Sequence, residues 1–397
     1  MSAQALRIPR SDFGRGHVHA VAGCYFVASF AALGLPPYLT EILPELGDRD
    51  ARWAGVLYVV PTVFGALGAP LWGRLADRFG RKRLLLRAQL GLAVSFLLAG
   101  WADSLATFTA ALVLQGILGG TFAASNGYLG AALEGPALSK ALTLMQGSAR
   151  AALVAAPIVV GSLSGWLSPH RQYALLAVLP LTAALLLAAL PEPAPAGQPR
   201  REPETAVTEA PARVSLRGLF ALEFAFVFST VISFPYLIEL VDDRLPGTSP
   251  TVTGVLFALP HLCYLVSALT VHSVFRDRPR AGLGLGFACI ALGLAGHGIA
   301  DSLPTLIAVR LLLGAGLTLG LVCLSVLAAD CAKGRSPGRM FGSLELFSKA
   351  GAVAAGVTAA AGSARYGPAA PVLIGGAAAA VVAALLPTLH LRTRWSH

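Results

Sequence analysis

Charged residues are scarce in this sequence. Asp, Glu, Lys and Arg make up 13% of its 397 residues, against about 25% in a soluble globular chain, and that deficit excludes an ordinary soluble enzyme. Lysine is the rarest of the basic pair, found only at Lys82, Lys140, Lys333 and Lys349. Cysteine is sparse as well. Cys24, Cys263, Cys289, Cys323 and Cys331 show no CxxC or metal-ligand spacing and read as free, small apolar residues inside apolar blocks or at their ends. The loops hold no phosphate-cradling glycine motif and no catalytic constellation, so no enzyme activity, no cofactor and no metal is expected. The net charge of +10 arrives without a basic and aromatic module, which sets nucleic-acid binding aside.

Apolar sequence fills the space that charge leaves. The chain is 55% apolar with a mean hydropathy of +0.69, and the apolar residues come in blocks of ~20, each long enough to cross ~30 Å of hydrocarbon as a helix. Charged or Pro/Gly breaks delimit spans near 17–43, 53–73, 84–101, 105–128, 141–167, 172–190, 217–241, 251–273, 281–299, 303–328, 340–362 and 367–389. The first, His17 to Leu43, is too long for a cleaved signal and is expected to stay as a transmembrane helix. Between spans 6 and 7, Pro191 to Arg213 is rich in Pro, Glu, Arg and Thr, the composition of a linker. The expected organisation is an all-α membrane protein with a six-helix bundle over 1–190, a linker over 191–216 and a second bundle over 217–397.

Cytoplasmic loops retain Lys and Arg. With the N-terminus inside, the inner segments collect Arg7, Arg10 and Arg15, the run from Arg74 to Arg87, Lys140, the linker arginines, Arg276 to Arg280, Lys333 to Arg339, and Arg392 with Arg394. The outer loops keep only Arg49, Arg52, Arg171, Arg244 and Arg365. Both termini are therefore expected in the cytoplasm.

The chain also repeats itself at an offset of 198 to 199 residues. Pro37-Tyr38-Leu39-Thr40-Glu41 returns as Pro235-Tyr236-Leu237-Ile238-Glu239. Gly55-Val56-Leu57 with Pro61 returns as Gly254-Val255-Leu256 with Pro260. Asp103-Ser104-Leu105, with Thr107 and Gly116, returns as Asp301-Ser302-Leu303, with Thr305 and Gly314. Several matches in one order at one offset point to duplication of a half.

Between spans 2 and 3, Gly73-Arg74-Leu75-Ala76-Asp77-Arg78-Phe79-Gly80-Arg81-Lys82-Arg83 closely resembles the G-x-L-a-D-r-x-G-r-k signature of the major facilitator superfamily. The resemblance covers the whole chain once spans, linker and repeat are included. It implies two six-helix bundles related by a pseudo-two-fold axis, rocking around a central cavity, with spans 3, 6, 9 and 12 outside. It makes Gly73, Asp77, Arg78, Gly80 and Arg81 a conformational latch, in which a carboxylate at the membrane face pairs with basic residues and helix ends. The second-half counterpart, His272-Ser273-Val274-Phe275-Arg276-Asp277-Arg278, lacks the glycines, so the latch is expected to be asymmetric. Drug antiporters of the superfamily often carry an Arg four residues before a Gly in span 4. Here that place is Leu112, before Gln115-Gly116, while the repeat partner Arg310 before Gly314 keeps the charge. The span 5 antiporter signature is matched only in part by Ala156-Pro157-Ile158-Val159-Val160-Gly161.

An ionisable side chain at mid-bilayer costs about 2.5–3.5 kcal/mol and normally faces a cavity or a partner. Arg150 and Lys349 lie ten residues beyond Lys140 and Arg339 and are repeat partners, each ~15 Å deep. They read as a clamp for an anionic group, with Glu345 at i,i+4 a possible partner for Lys349 alone. Arg310, Gln115, Asn126, Tyr58 and His261 are further candidates for the substrate cavity, although a lone His is more often structural. Glu41, Glu239 and Glu345 compete as proton-coupling carboxylates, since a drying cleft favours the protonated form. Tyr38, Tyr236 and Tyr264 also offer hydrogen bonds to the cavity, although aromatics at span ends, such as Tyr38 and Tyr236, are more often interface anchors.

The leading expectation is a secondary transporter working by alternating access, exporting a small organic solute in exchange for protons. The solute is expected to be an anionic metabolite, a siderophore or a drug. An importer symporting a nutrient anion and a non-transporting receptor or scaffold are the alternatives. The partners expected are solute, protons and the lipid bilayer, and the chain is expected to be a monomer. Arg-rich, Lys-poor usage fits a GC-rich genome and a bacterial inner membrane.

Overall fold

A computed structural model describes residues 14–133, 135–192, 214–332 and 337–386. Among them the ordered structure is helical, without strands. Span 1 is Arg15–Leu46, span 2 Ala54–Phe79, span 3 Arg81–Gly100, span 5 Gly135–Leu163 and span 6 Pro169–Ala188. Span 4 has two pieces, Leu105–Leu118 and Thr121–Ala132. In the second half, span 7 is Leu216–Arg244, span 8 Pro250–Phe275, span 9 Pro279–His297, span 10 Leu303–Ala332, span 11 Pro337–Tyr366 and span 12 Ala370–Leu385. Among the described residues, nine helices are long and apolar enough to cross a membrane, and Ala54–Gly68, Leu105–Leu118 and Ala370–Leu385 are shorter apolar helices.

Local chemistry sets most of the boundaries. The hydroxyls of Ser215 and Ser249 accept the N–H of Gly218 and Val252, capping the starts of spans 7 and 8. Gly80, at φ +94°, turns the chain between spans 2 and 3 in a backbone region that a side chain disfavours. Span 4, expected as one helix over 105–128, is interrupted because Gly120 adopts φ +86°. Span 5 starts and ends earlier than expected. The linker residues 193–213 lie outside the described residues.

The halves meet with the symmetry that the sequence repeat predicts. Gly55 on span 2 packs so closely on span 11 that an added Cβ meets the Gly356 carbonyl at 2.4 Å. Its repeat partner Gly254 on span 8 packs on span 5, where a Cβ meets the Pro157 carbonyl at 2.4 Å. Residues 157 and 356 are themselves repeat partners, so the two contacts are copies related by the pseudo-two-fold axis. Within each half the repeat holds as well: Gly116 lies against Pro61 and Gly314 against Pro260.

These inter-half contacts sit at the end of the bundle farther from Gly14 and Leu386, here the distal end. The Gly55 N–H donates to the Tyr236 hydroxyl at 3.1 Å, Thr251 donates to Ser162 at 3.2 Å, and the rings of Tyr58 and Phe234 meet edge to face at 6.3 Å. Tyr236 and its repeat partner Tyr38 are buried, at 2% and 0% exposure, and the Tyr38 hydroxyl donates to the Pro157 carbonyl at 2.6 Å. Both tyrosines thus serve at the closed end rather than as interface anchors. Toward the proximal end the same helices lose their cover. Span 8 has no buried residue over 262–275, and span 11 has none over 343–350, while Val266, Leu269, Leu67 and Leu71 are exposed.

A Gly55→Val substitution tests the distal seal, because the side chain must fit where no Cβ fits now. Spin labels at the exposed positions Trp53 and Tyr366 should move apart. An unchanged distance would show that the glycine contact does not hold the halves together.

Candidate functional site

Arg150 comes from span 5 and enters the space between the halves near their middle. Its guanidinium lies 5.5 Å from the ring centroid of Tyr264 on span 8, within the range of cation–π attraction. Tyr264, Tyr25 on span 1 and Glu223 on span 7 are its electrostatic neighbours. Glu223 in turn feels Arg150 and Glu345, and the Ser348 hydroxyl hydrogen-bonds its carboxyl. Lys349 on span 11 approaches Glu345, with Nζ to Oε1 at 3.6 Å, and both side chains are partly exposed. Five helices, spans 1 and 5 from the first half and spans 7, 8 and 11 from the second, therefore bring two cations and two carboxylates together with the rings of Tyr25 and Tyr264.

Glu223 escaped the sequence reading. Its signal was present, since an acidic residue inside the apolar run Leu219-Phe220-Ala221-Leu222-Glu223-Phe224-Ala225-Phe226 is as costly in a membrane as the residues that were singled out. Arg150 has no acidic neighbour in its own helix, as expected, and it is Glu223 on span 7 that comes within electrostatic reach.

The other candidates divide. Arg310 is 1% exposed. Its Nε–H donates to the Leu256 carbonyl at 2.8 Å and an Nη to the Phe257 carbonyl at 2.9 Å. Pro260 explains this: it has no N–H to return to the carbonyl four residues back, and its ring opens the turn. Arg310 is thus engaged by the backbone of span 8 rather than placed in the shared space. His261 is buried between Phe234 and Phe257, with ring centroids at 5.8 and 6.0 Å. Arg150 and Arg310 are its charged neighbours, and neither ring nitrogen has a hydrogen-bond partner among the described residues. Tyr58 lies against Phe234 between the halves. Gln115 is half-buried at the end of the first piece of span 4, and Asn126 lies on the second piece with no partner for Oδ1 among the described residues.

Glu41 and Glu239 stand apart from the central cluster, toward the distal end. Asp242 and Glu45 are the charged neighbours of Glu41. Glu239 lines a cavity of about 210 Å³ with Asp50, Arg52 and Tyr236. Glu345 is the only one of the three coupling candidates that the fold brings to Arg150's surroundings.

Of the latch residues, Gly73 and the side chain of Asp77 lie outside the described residues. Arg78 lies over the ring of Phe79, at 5.3 Å. Arg81 approaches Gly127 on span 4, and Lys82 donates to the carbonyls of Ala188 and Leu190 while its N–H reaches Glu192 at 3.3 Å. These contacts tie the turn at Gly80 to spans 4 and 6 of its own half.

The family model of the Major Facilitator Superfamily matches residues 21–245. Multidrug resistance protein MdtG of Proteus mirabilis is 32% identical over 184 residues, 45% of this chain and 44% of that protein. MdtG of Serratia proteamaculans is 33% identical over 169 residues, covering 42% and 39%. The matched stretch thus spans less than half the length of these relatives. Among solved structures, a POT family transporter in complex with 5-aminolevulinic acid has a TM-score of 0.74 at 12% identity, over 96% of this chain and 99% of that one. The human organic anion transporter MFSD10 has a TM-score of 0.65 at 21% identity, over 93% and 98%. At these identities the likeness is one of fold. It extends over both halves, and with the family model matching more than half of the sequence, the chain belongs to the Major Facilitator Superfamily.

Proposed function

We propose that this protein is a proton-driven exporter of small organic solutes, working by alternating access as a monomer in a bacterial inner membrane with both termini in the cytoplasm. Its bundles, 1–190 and 217–397, rock about the linker 191–216, and Asp77 with Gly73, Arg78, Gly80 and Arg81 steadies one access state. The observation that carries the reading is the group Arg150, Glu223, Glu345 and Lys349 at the seam between the halves. With the basic loops at the proximal end, a distal seal makes this conformer inward-facing.

The charge balance refines the substrate class. Each cation has a carboxylate within electrostatic reach, so the site has no standing excess of positive charge for an anion. An anion bound to Arg150 would release Glu223 to take up a proton, and cooperative binding of that kind gives symport. A solute with a cationic or basic group competes with the proton for Glu223 and Glu345, and competition gives antiport, the direction that export requires. We therefore place cationic or zwitterionic amphiphiles ahead of anions, with Tyr25, Tyr264, Tyr58 and His261 offering aromatic and hydrogen-bonding surface. The name of the MdtG relatives fits such a role.

Proton release on binding tests this directly. Purified protein in weakly buffered detergent should release protons when tetraphenylphosphonium is added and take them up, or show no response, with benzoate. Proton uptake with benzoate alone would reverse the assignment to symport of an anion.

A further inference from the structure

Span 3 carries a feature that the transport site does not use. Arg83, Leu86, Arg87, Leu90 and Val94 recur at three- and four-residue steps and so share one helix face. With Leu118, at the point where span 4 breaks, they line a surface groove of about 440 Å³. Leu90 and Val94 are exposed, at 47% and 48%, on an apolar span long enough to cross a membrane.

The groove has a polarity. Its two arginines stand at the proximal end, and the rest of its lining is apolar. From Arg83 to Val94 the helix rises ~16 Å, about half of the ~30 Å hydrocarbon thickness, so the groove runs the depth of one leaflet. Arg83 is exposed. Arg87 stacks on Trp72 at 3.5 Å and points an Nη at the Gly119 carbonyl at 3.2 Å, while its Nε has no partner among the described residues. A second positive charge is thereby fixed at the mouth of the groove by the break in span 4 itself.

We propose that this groove seats one anionic phospholipid of the proximal leaflet, with an acyl chain along Leu86, Leu90, Val94 and Leu118 and its phosphate paired with Arg83 and Arg87. Charge at one end, apolar lining elsewhere and single-leaflet depth together match that molecule. A neutral lipid leaves the arginine pair without a counter-charge, and a soluble anion leaves the apolar length empty. Basic recesses between transmembrane helices favour anionic headgroups for the same reason.

Native mass spectrometry of the full chain, released from nanodiscs of equal parts phosphatidylcholine and phosphatidylglycerol, tests the assignment. One phosphatidylglycerol should remain bound in preference to phosphatidylcholine. Arg83→Gln should weaken its retention about fivefold, the worth of one basic residue at a membrane surface. Val94→Trp, at an exposed position, should also weaken it by filling the groove, while Arg278→Gln on another basic loop should leave it unchanged. Equal retention of the two lipids by the unaltered protein would overturn the proposal. So would an equal loss from Arg278→Gln and Arg83→Gln, which means general attraction to a basic surface, or full retention in Val94→Trp, which means that the chain lies elsewhere.

Discussion

Arg310→Ala is expected to destabilise the protein by about 1–3 kcal/mol, because it strands the buried Leu256 carbonyl, whose helical donor Pro260 lacks, and removes a second bond from the Phe257 carbonyl. The Leu256 and Phe257 carbonyls have Arg310 as their donor across 54 and 53 residues of sequence, in a region that Pro260 deprives of its own N–H. Removing the guanidinium also opens a cavity beside Phe257, since the side chain is fully buried. Arg310→Lys should recover only part of the loss, because an ammonium lacks the planar fork that reaches two acceptors at once. Denaturation in detergent micelles measures the change. If Arg310→Ala unfolds like the unaltered protein but fails to bind solute, the residue belongs to the cavity after all. Leu112, which stands at the same repeat position in the first half, should behave as an ordinary apolar residue when changed to Ala.

The second large effect is expected at Glu223. If cation and proton compete for this carboxylate, each solute bound displaces a proton. In the acidic range the affinity for tetraphenylphosphonium then falls up to tenfold for each unit that the pH drops, and it levels off at higher pH, where no proton is left to displace. Glu223→Gln keeps the shape and removes the titration, so the slope should fall by more than half. Transport driven by a pH gradient should be lost while solute exchange persists. Glu345→Gln should have the smaller effect, because Lys349 already offsets that carboxylate at 3.6 Å. Calorimetry across a pH series decides between them. An unaltered slope in Glu223→Gln would move the coupling to Glu345 or to the distal pair Glu41 and Glu239.

Both predictions rest on partners that lie far apart in sequence, and that is where reading the sequence alone reached its limit. Arg150 was recognisable as an exceptional residue from its depth in span 5, and so was Lys349 in span 11. Their opposite charges were another matter. The i,i+4 neighbour Glu345 was visible because a helix fixes that spacing, whereas Glu223 belongs to a helix of the other half and meets Arg150 only through the packing of the bundles. Arg310 misled for the same reason: its charge and depth matched those of a cavity residue, and only the neighbouring span 8 revealed that backbone carbonyls hold it.

By itself the sequence determined the succession of apolar spans, the repeat and the superfamily resemblance. Crossing a bilayer is a one-dimensional requirement, met when enough consecutive residues are apolar, and a duplicated half leaves its matches in linear order. The tertiary structure decided which charges face one another, where a proline's lost hydrogen bond is replaced and which end of the bundle is sealed. Those outcomes depend on distances of a few ångströms between helices whose order in the chain does not set their contacts. Gly55 and Gly254 join the two levels: the repeat names them as a pair, and only the close approach of spans 2 to 11 and 8 to 5 shows why neither carries a side chain.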